Sequence, residues 1–221
     1  MSKDELAKMI DSTNVKATAT KSEIEKLCKE AAEYGFRCAV VNPFYVKLAA
    51  SILKGSNVKV CSTVGFPVGV SLPEIKALEA VKAVEDGAEE LDMVINLGAM
   101  KSGDYEAVKR DIAAVMDIKR LSKGIIVKVI IETTFLSRDE KIIACKLAKE
   151  AGADFVKTST GLFGKGATAE DVRLMRQTVG KDMGVKAAGG IRTYADAIAM
   201  IKAGANRIGT STAVQIIQGV P

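Results

Sequence analysis

Residues 151–159 read AGADFVKTS, residues 203–211 read AGANRIGTS, and residues 86–94 carry the same kind of junction as DGAEELDMV. In each, a glycine stands where a helix needs a left-handed residue to stop, and an apolar run follows at once. Gly35 and Gly180 fit the same helix-closing role as Gly87, Gly152 and Gly204. Working outward, strand-like runs occupy 37–41, 58–64, 90–96, 125–132, 154–159, 185–188 and 206–210, with a less regular eighth at 9–15. Helix starts lie between them. Ser22 with Glu25, Ser71 with Glu74 and Ser137 with Glu140 fit the Ser-x-x-Glu capping box, and Thr168 with Asp171 and Thr193 with Asp196 are shorter versions.

Strands that are apolar nearly throughout and always separated by helices predict a parallel sheet covered by helices. An open doubly wound sheet announces itself with a glycine-rich nucleotide loop after its first strand, and none occurs. Eight βα units in 221 residues predict an α/β TIM (β/α)8 barrel, one domain over 1–221. Its chemistry belongs at the C-terminal ends of the strands.

Histidine is absent. That removes every mechanism built on a histidine base and the common histidine metal sites, so acid–base work falls to Lys, Asp, Glu, Tyr, Cys or water. Cys28, Cys38, Cys61 and Cys145 form no C-x-x-C pair and read as reduced, buried thiols. The net charge of +5 comes from 32 basic and 27 acidic residues interleaved along helices, which suits small anions and argues against nucleic acid. No apolar run can span a bilayer and MSKDELAKMI resembles no targeting segment, so no membrane partner and a cytoplasmic location are expected.

The unusual feature is lysine inside apolar strands: Lys128 in IIVKVIIET, Lys157 in FVKTSTG and Lys186 in GVKAAGG. Burying an ammonium lowers its pKa unless it is paired, and a second ammonium nearby lowers it further. A lysine neutral near pH 7 attacks carbonyl carbon. Lys157 and Lys186, on consecutive strands at similar depth, are candidates for such a pair, while Lys128, mid-strand, reads as a salt-bridged filler. Asp92 in ELDMVINLG can move protons or neutralise these lysines, and Asp11 and Glu132 fall near the ends of the first and fifth strands. Phosphate binding is expected at two turns, AAGGIRT with Gly189 and Gly190, and GTST with Ser211 and Thr212, where backbone N–H groups at helix starts meet a ligand. The loop STVGFPVGVSLPE reads as structural.

STVGFPVG, ELDMVINLGAMKSGDY, KVIIET, AGADFVKTSTG, GVKAAGGIRT and ANRIGTST together resemble the deoxyribose-phosphate aldolases, class I Schiff-base enzymes on a TIM barrel; IDSTNVKATAT is a looser match. The resemblance implies that Lys157 forms the Schiff base, Lys186 tunes it and Asp92 transfers protons. It implies a phosphate site of Gly161, Gly189, Gly190, Ile191, Arg192, Gly209, Ser211 and Thr212. The reaction implied is reversible cleavage of 2-deoxy-D-ribose 5-phosphate to D-glyceraldehyde 3-phosphate and acetaldehyde, within deoxyribose phosphate catabolism, with no metal and no cofactor, by a homo-oligomer (dimer or tetramer). Ser12 stands where many relatives carry histidine, and Leu162 where one carries a phosphate-contacting lysine, which leaves Lys165 as a candidate for that contact. A keto-acid aldolase and a silent phosphate-binding barrel are the alternatives.

Overall fold

The computed structural model describes residues 1–221. Eight parallel strands, β1 (Ile10–Asn14), β2 (Cys38–Val41), β3 (Lys59–Val64), β4 (Glu90–Val94), β5 (Ile126–Ile130), β6 (Phe155–Lys157), β7 (Gly184–Ala188) and β8 (Arg207–Thr210), close into a barrel in chain order. Each of the eight expected runs coincides with one strand; seven strands lie within their runs, shortened at one or both ends, and β7 begins one residue earlier, at Gly184. β1 pairs with both β2 and β8, so no sheet edge is left open.

Around the barrel lie α1 (Lys3–Ala7), α2 (Lys21–Tyr34), α3 (Val46–Leu53), α4 (Pro73–Glu85), α5 (Leu97–Lys101), α6 (Tyr105–Met116), α7 (Ile118–Leu121), α8 (Arg138–Glu150), α9 (Ala169–Val179), α10 (Tyr194–Lys202) and α11 (Ala213–Gln218). Their inner faces follow from spacing: α2 buries Ile24, Leu27, Cys28 and Ala31, one stripe of a 3.6-residue period. None of these helices is long and apolar enough to cross a membrane. All four cysteines are unpaired and buried.

The capping boxes at Ser137 and Thr193 form as expected, and Thr168 caps α9 by accepting from the Asp171 N–H. Two expected boxes do not form. α2 begins earlier, capped by Thr20 with Glu23, which leaves Ser22 inside the first turn. α4 begins at Pro73 after Leu72, because proline at the first helical position needs no N–H acceptor and leaves Ser71 outside the helix.

Strand register sets the site. Ile130 pairs with Lys157, Lys157 with Lys186, and Lys186 with Arg207, while Asp92 pairs with Lys128. Alternation along a strand sends these side chains into the barrel, together with Asp11 and Glu90. Space for them comes from small neighbours: a Cβ on Gly184 would strike the Phe155 ring, and one on Gly209 would lie 3.1 Å from Cε of Lys186.

Candidate active site

The barrel interior is a stack of buried ionic groups. At the bottom, Arg207 Nη1 donates to Asp11 Oδ1 at 2.8 Å and Glu90 Oε2 at 3.0 Å, and lies 3.5 Å from Cys38 Sγ. Asp11, Cys38 and Glu90 are grouped closely enough to hold a metal ion, but the position they surround is filled by this guanidinium. Above it, Lys128 Nζ lies 2.6 Å from Glu90 Oε2 and donates to Asp92 Oδ1 at 2.9 Å. Lys128 therefore fills and neutralises a layer, as its mid-strand position suggests.

Lys186 sits between two carboxylates, 2.5 Å from Asp11 Oδ2 and 2.7 Å from Asp92 Oδ2. Burial works against its charge, but Asp11 and Asp92 outweigh burial and hold Lys186 well above the ordinary lysine range. Lys157 is the uppermost of the set and donates to the same Asp92 oxygen at 2.7 Å. Its pKa is lowered, first by burial and then by the Lys186 ammonium, with Asp92 opposing both. Asp92 has the opposite balance: burial is outweighed by Lys128, Lys157 and Lys186, and the carboxylate is held well below its usual range.

Charge balance singles out Lys157. Among the buried groups of this stack, Asp11, Glu90 and Asp92 face Lys128, Lys186 and Arg207, one anion for each cation, with Arg37 reaching Glu90 from the half-exposed barrel bottom. Lys157 shares its Asp92 contact with Lys128 and Lys186, and it alone of the three strand lysines opens onto a cavity.

That cavity, of about 450 Å³, lies at the C-terminal ends of the strands. Thr13, Val40, Thr63 and Phe66 line one side, and Gly161, Gly189, Gly190, Ile191, Arg192, Gly209 and Ser211 the other. Backbone N–H groups of Gly161, Gly190, Ile191 and Ser211 meet no acceptor within the protein. Positive φ values of 83°, 90° and 76° at Gly161, Gly189 and Gly190 fold these turns back on themselves, a shape that side chains resist.

The expected residues converge, with differences in detail. Arg192 offers only its side chain, because its backbone N–H donates to the Asp196 carboxylate that caps α10. Thr212 lies outside the cavity lining: its N–H donates to Thr210 Oγ1, and its hydroxyl donates to the Arg192 carbonyl. It braces two turns against each other. Lys165 is also absent from the lining, and what it supplies is a carbonyl packed against Gly190. Asp92 and Lys186 are fully buried and lie outside the cavity lining, in contact with Lys157 through the Asp92 carboxylate. Ser12 alternates with Asp11 on β1 and so points away from the barrel interior.

Several lining residues carried no warning in the sequence. Asn14 ends β1, Lys16 lies in the β1–α2 connection, Glu23 and Lys26 lie on α2, and Thr210 joins the last two turns by donating to the Ile191 carbonyl at 2.7 Å. Gly166 packs against Gly189 from a loop far along the chain. Glu132 is the one non-glycine residue with positive φ, at 50°, a conformation that costs on the order of 1–3 kcal/mol. Burial raises its pKa, and Thr160 pulls it back in part.

A model of the DeoC/LacD family aldolases matches residues 6–219. The deoxyribose-phosphate aldolase of Methanothermobacter thermautotrophicus is 62% identical over 218 residues, 98% of this chain and 96% of that one. That of Thermococcus kodakarensis is 60% identical over 223 residues, covering 100% and 99% of the two chains. Among solved structures, the deoxyribose phosphate aldolase of Aeropyrum pernix, described as a unique tetramer, superimposes with a TM-score of 0.92 at 39% identity, covering 98% and 91%. A buried strand lysine opening onto a glycine-walled cavity, and likeness over nearly the whole length, place this chain in the DeoC/LacD family of aldolases, which are lyases.

Proposed function

We propose that the chain cleaves 2-deoxy-D-ribose 5-phosphate reversibly to D-glyceraldehyde 3-phosphate and acetaldehyde, through a Schiff base on Lys157, and so serves deoxyribose phosphate catabolism. The observation that carries this reading is the environment of Lys157: a depressed pKa beside a balanced ion stack, with the amine at a cavity floor. The neutral amine attacks C1 of the open-chain sugar, and the carbinolamine loses water to give an iminium. As the C3 hydroxyl gives up its proton to a base or water, the iminium accepts the electrons of the C2–C3 bond as it breaks, so C3 leaves as the aldehyde of glyceraldehyde 3-phosphate and an enamine of acetaldehyde remains. Protonation at C2 and hydrolysis release acetaldehyde.

Asp92 touches both Lys157 and Lys186 and is placed to take and return protons as the carbinolamine forms and collapses. Lys186 keeps the Lys157 amine neutral by its own fixed charge. The free N–H groups of Gly161, Gly190, Ile191 and Ser211, with the Ser211 hydroxyl and the Arg192 side chain, form the phosphate end of the cavity. Self-association is part of the reading. It is supported by the tetrameric relative and by an exposed apolar strip of Val68, Val70, Leu72, Ile75 and Leu78 on and before α4.

Borohydride reduction with acetaldehyde tests the chemistry. Mass spectrometry of the folded protein should find an ethyl adduct on Lys157, and its absence would remove the Schiff-base assignment. Turnover of deoxyribose 5-phosphate against a 2-keto acid tests the substrate.

A further inference from the structure

Glu132 follows β5 and faces the cavity wall from behind. Its backbone holds the left-handed conformation with φ 50° and ψ 71°, and its side chain is fully buried. Oε2 accepts from the Thr160 backbone N–H at 2.9 Å and from Thr160 Oγ1 at 2.6 Å. Oε1 is buried with no hydrogen-bond partner within the protein. A residue with an unfavoured backbone and half of its carboxyl unsatisfied is poorly explained as filler, since an apolar residue or a glycine would avoid both costs.

What the carboxyl holds gives the reason. Thr160 Oγ1 donates to Glu132 and accepts from the Leu162 N–H at 3.3 Å. Gly161 is thereby fixed from both sides, with Thr160 clamped before it and Leu162 tied back after it. Its own N–H is left without a protein acceptor at the cavity. Gly161 packs in turn on Gly189, whose Cα would lie 3.4 Å from a Cβ placed on Gly161. One carboxylate behind the wall therefore sets the direction of a donor on its front.

We propose that Glu132 is a positioning residue for substrate selection: through Thr160 it aims the Gly161 N–H at the phosphate end of the sugar and so favours phosphorylated over unphosphorylated substrates. The inference rests on the phosphosugar reading above and adds the group that orients one wall of that site. Glu132 is not among the residues that line the cavity, and it reaches the wall through Thr160.

The test compares kcat and KM for 2-deoxyribose 5-phosphate and for 2-deoxyribose in the full-length wild type, Glu132→Ala, Glu132→Gln and Thr160→Val. Loss of the clamp should raise KM for the phosphorylated sugar by roughly tenfold or more, the size expected for one lost hydrogen bond to a charged group. For the unphosphorylated sugar, kcat/KM should change little, so the preference between the two should fall about as far. Glu132→Gln keeps an acceptor oxygen for Thr160 and should restore most of that preference. Equal losses on both sugars, or a Gln variant as impaired as the Ala variant, would overturn the proposal by showing a merely structural or charge-dependent role. If Glu132→Ala does not fold, Thr160→Val decides, since it removes only the hydroxyl bonds. Borohydride trapping on Lys157 is run alongside: an adduct in every variant with no change of preference defeats this proposal alone, whereas no adduct in the wild type defeats the reading beneath it as well.

Discussion

Lys157 and Lys186 donate to one and the same oxygen, Asp92 Oδ2, each at 2.7 Å. Two ammonium groups so placed cannot both be comfortably charged. Lys186 also contacts Asp11, which favours its ammonium, so of the two lysines it is Lys157 whose pKa is lowered, by burial first and then by the Lys186 charge. Replacing Lys186 by Leu removes the repulsion and gives Lys157 undivided access to Asp92, so the Lys157 pKa rises. Below that pKa, each unit of rise lowers the neutral amine about tenfold. Lys186→Leu should therefore be strongly impaired at pH 7 and regain activity as pH rises, with circular dichroism unchanged, whereas Lys157→Ala should be inactive at every pH. A Lys186→Leu profile matching the wild type would refute the like-charge argument.

Asp92 ties Lys128, Lys157 and Lys186 together, so Asp92→Asn leaves the buried Lys128 and Lys186 ammonium groups short of one anion and Lys157 without its acceptor. Breaking a buried ion pair from one side typically costs roughly 3–5 kcal/mol, and urea unfolding at pH 7 should show a loss of that order. The pH dependence has a definite sign. Asp11 and Asp92 have depressed folded-state pKa values, so their stabilisation is complete above about pH 4, the ordinary carboxylate range. It declines only as pH falls toward their lowered values. Asp92→Asn should remove its part of this acid dependence, and a variant with wild-type stability and an unchanged acid limb would contradict the stack as described.

Ser211 places a free backbone N–H and an unbonded hydroxyl at the cavity. Ser211→Asp puts a carboxylate against the phosphate, so KM for deoxyribose 5-phosphate should rise by well over the roughly tenfold of a single lost hydrogen bond. Unphosphorylated deoxyribose should be affected far less. Steady-state kinetics on the two sugars separates the outcomes, and parallel losses would count against a phosphate at this turn.

How much of this was legible in the sequence follows from which interactions are local. Helix-stop glycines, apolar runs and the spacing between them are local, and the barrel and the depth of Lys157 and Lys186 were read from them. Capping was read less well, because Ser22 and Ser71 each had a competing start nearby, Thr20 in one case and Pro73 in the other. The mid-strand position of Lys128 fits its ion pairs with Glu90 and Asp92. Pairings made by the closed barrel were not legible: Arg207 reaches Asp11 across 196 positions of sequence, and Lys186 reaches Asp92 across 94. The left-handed backbone at Glu132 is equally silent, since nothing in KVIIETTF demands it. Thr212 and Arg192 were given phosphate donors that the structure spends on the turns themselves.

Gly166 gives a last test of how the phosphate turns hold their shape. It lies in a loop with no phosphate motif, yet at φ 76° a Cβ there would come within 2.4 Å of the Gly189 carbonyl carbon and oxygen. The neighbouring Ala167 N–H donates to that same Gly189 oxygen at 3.0 Å, so the two segments are locked backbone to backbone. Alanine at 166 is penalised twice, by the left-handed conformation and by collision with main chain that cannot rotate away. Gly189 must then move, and the Gly190 and Ile191 N–H groups move with it. Gly166→Ala should lower the melting temperature and raise KM for deoxyribose 5-phosphate more than for deoxyribose. Gly35→Ala is the control: its φ of 65° is similarly left-handed, but a Cβ there meets nothing within 4 Å. That variant should lose stability from backbone strain alone and keep its substrate preference. Identical kinetic behaviour in the two variants would mean that the contact with Gly189 does not set the direction of the phosphate donors.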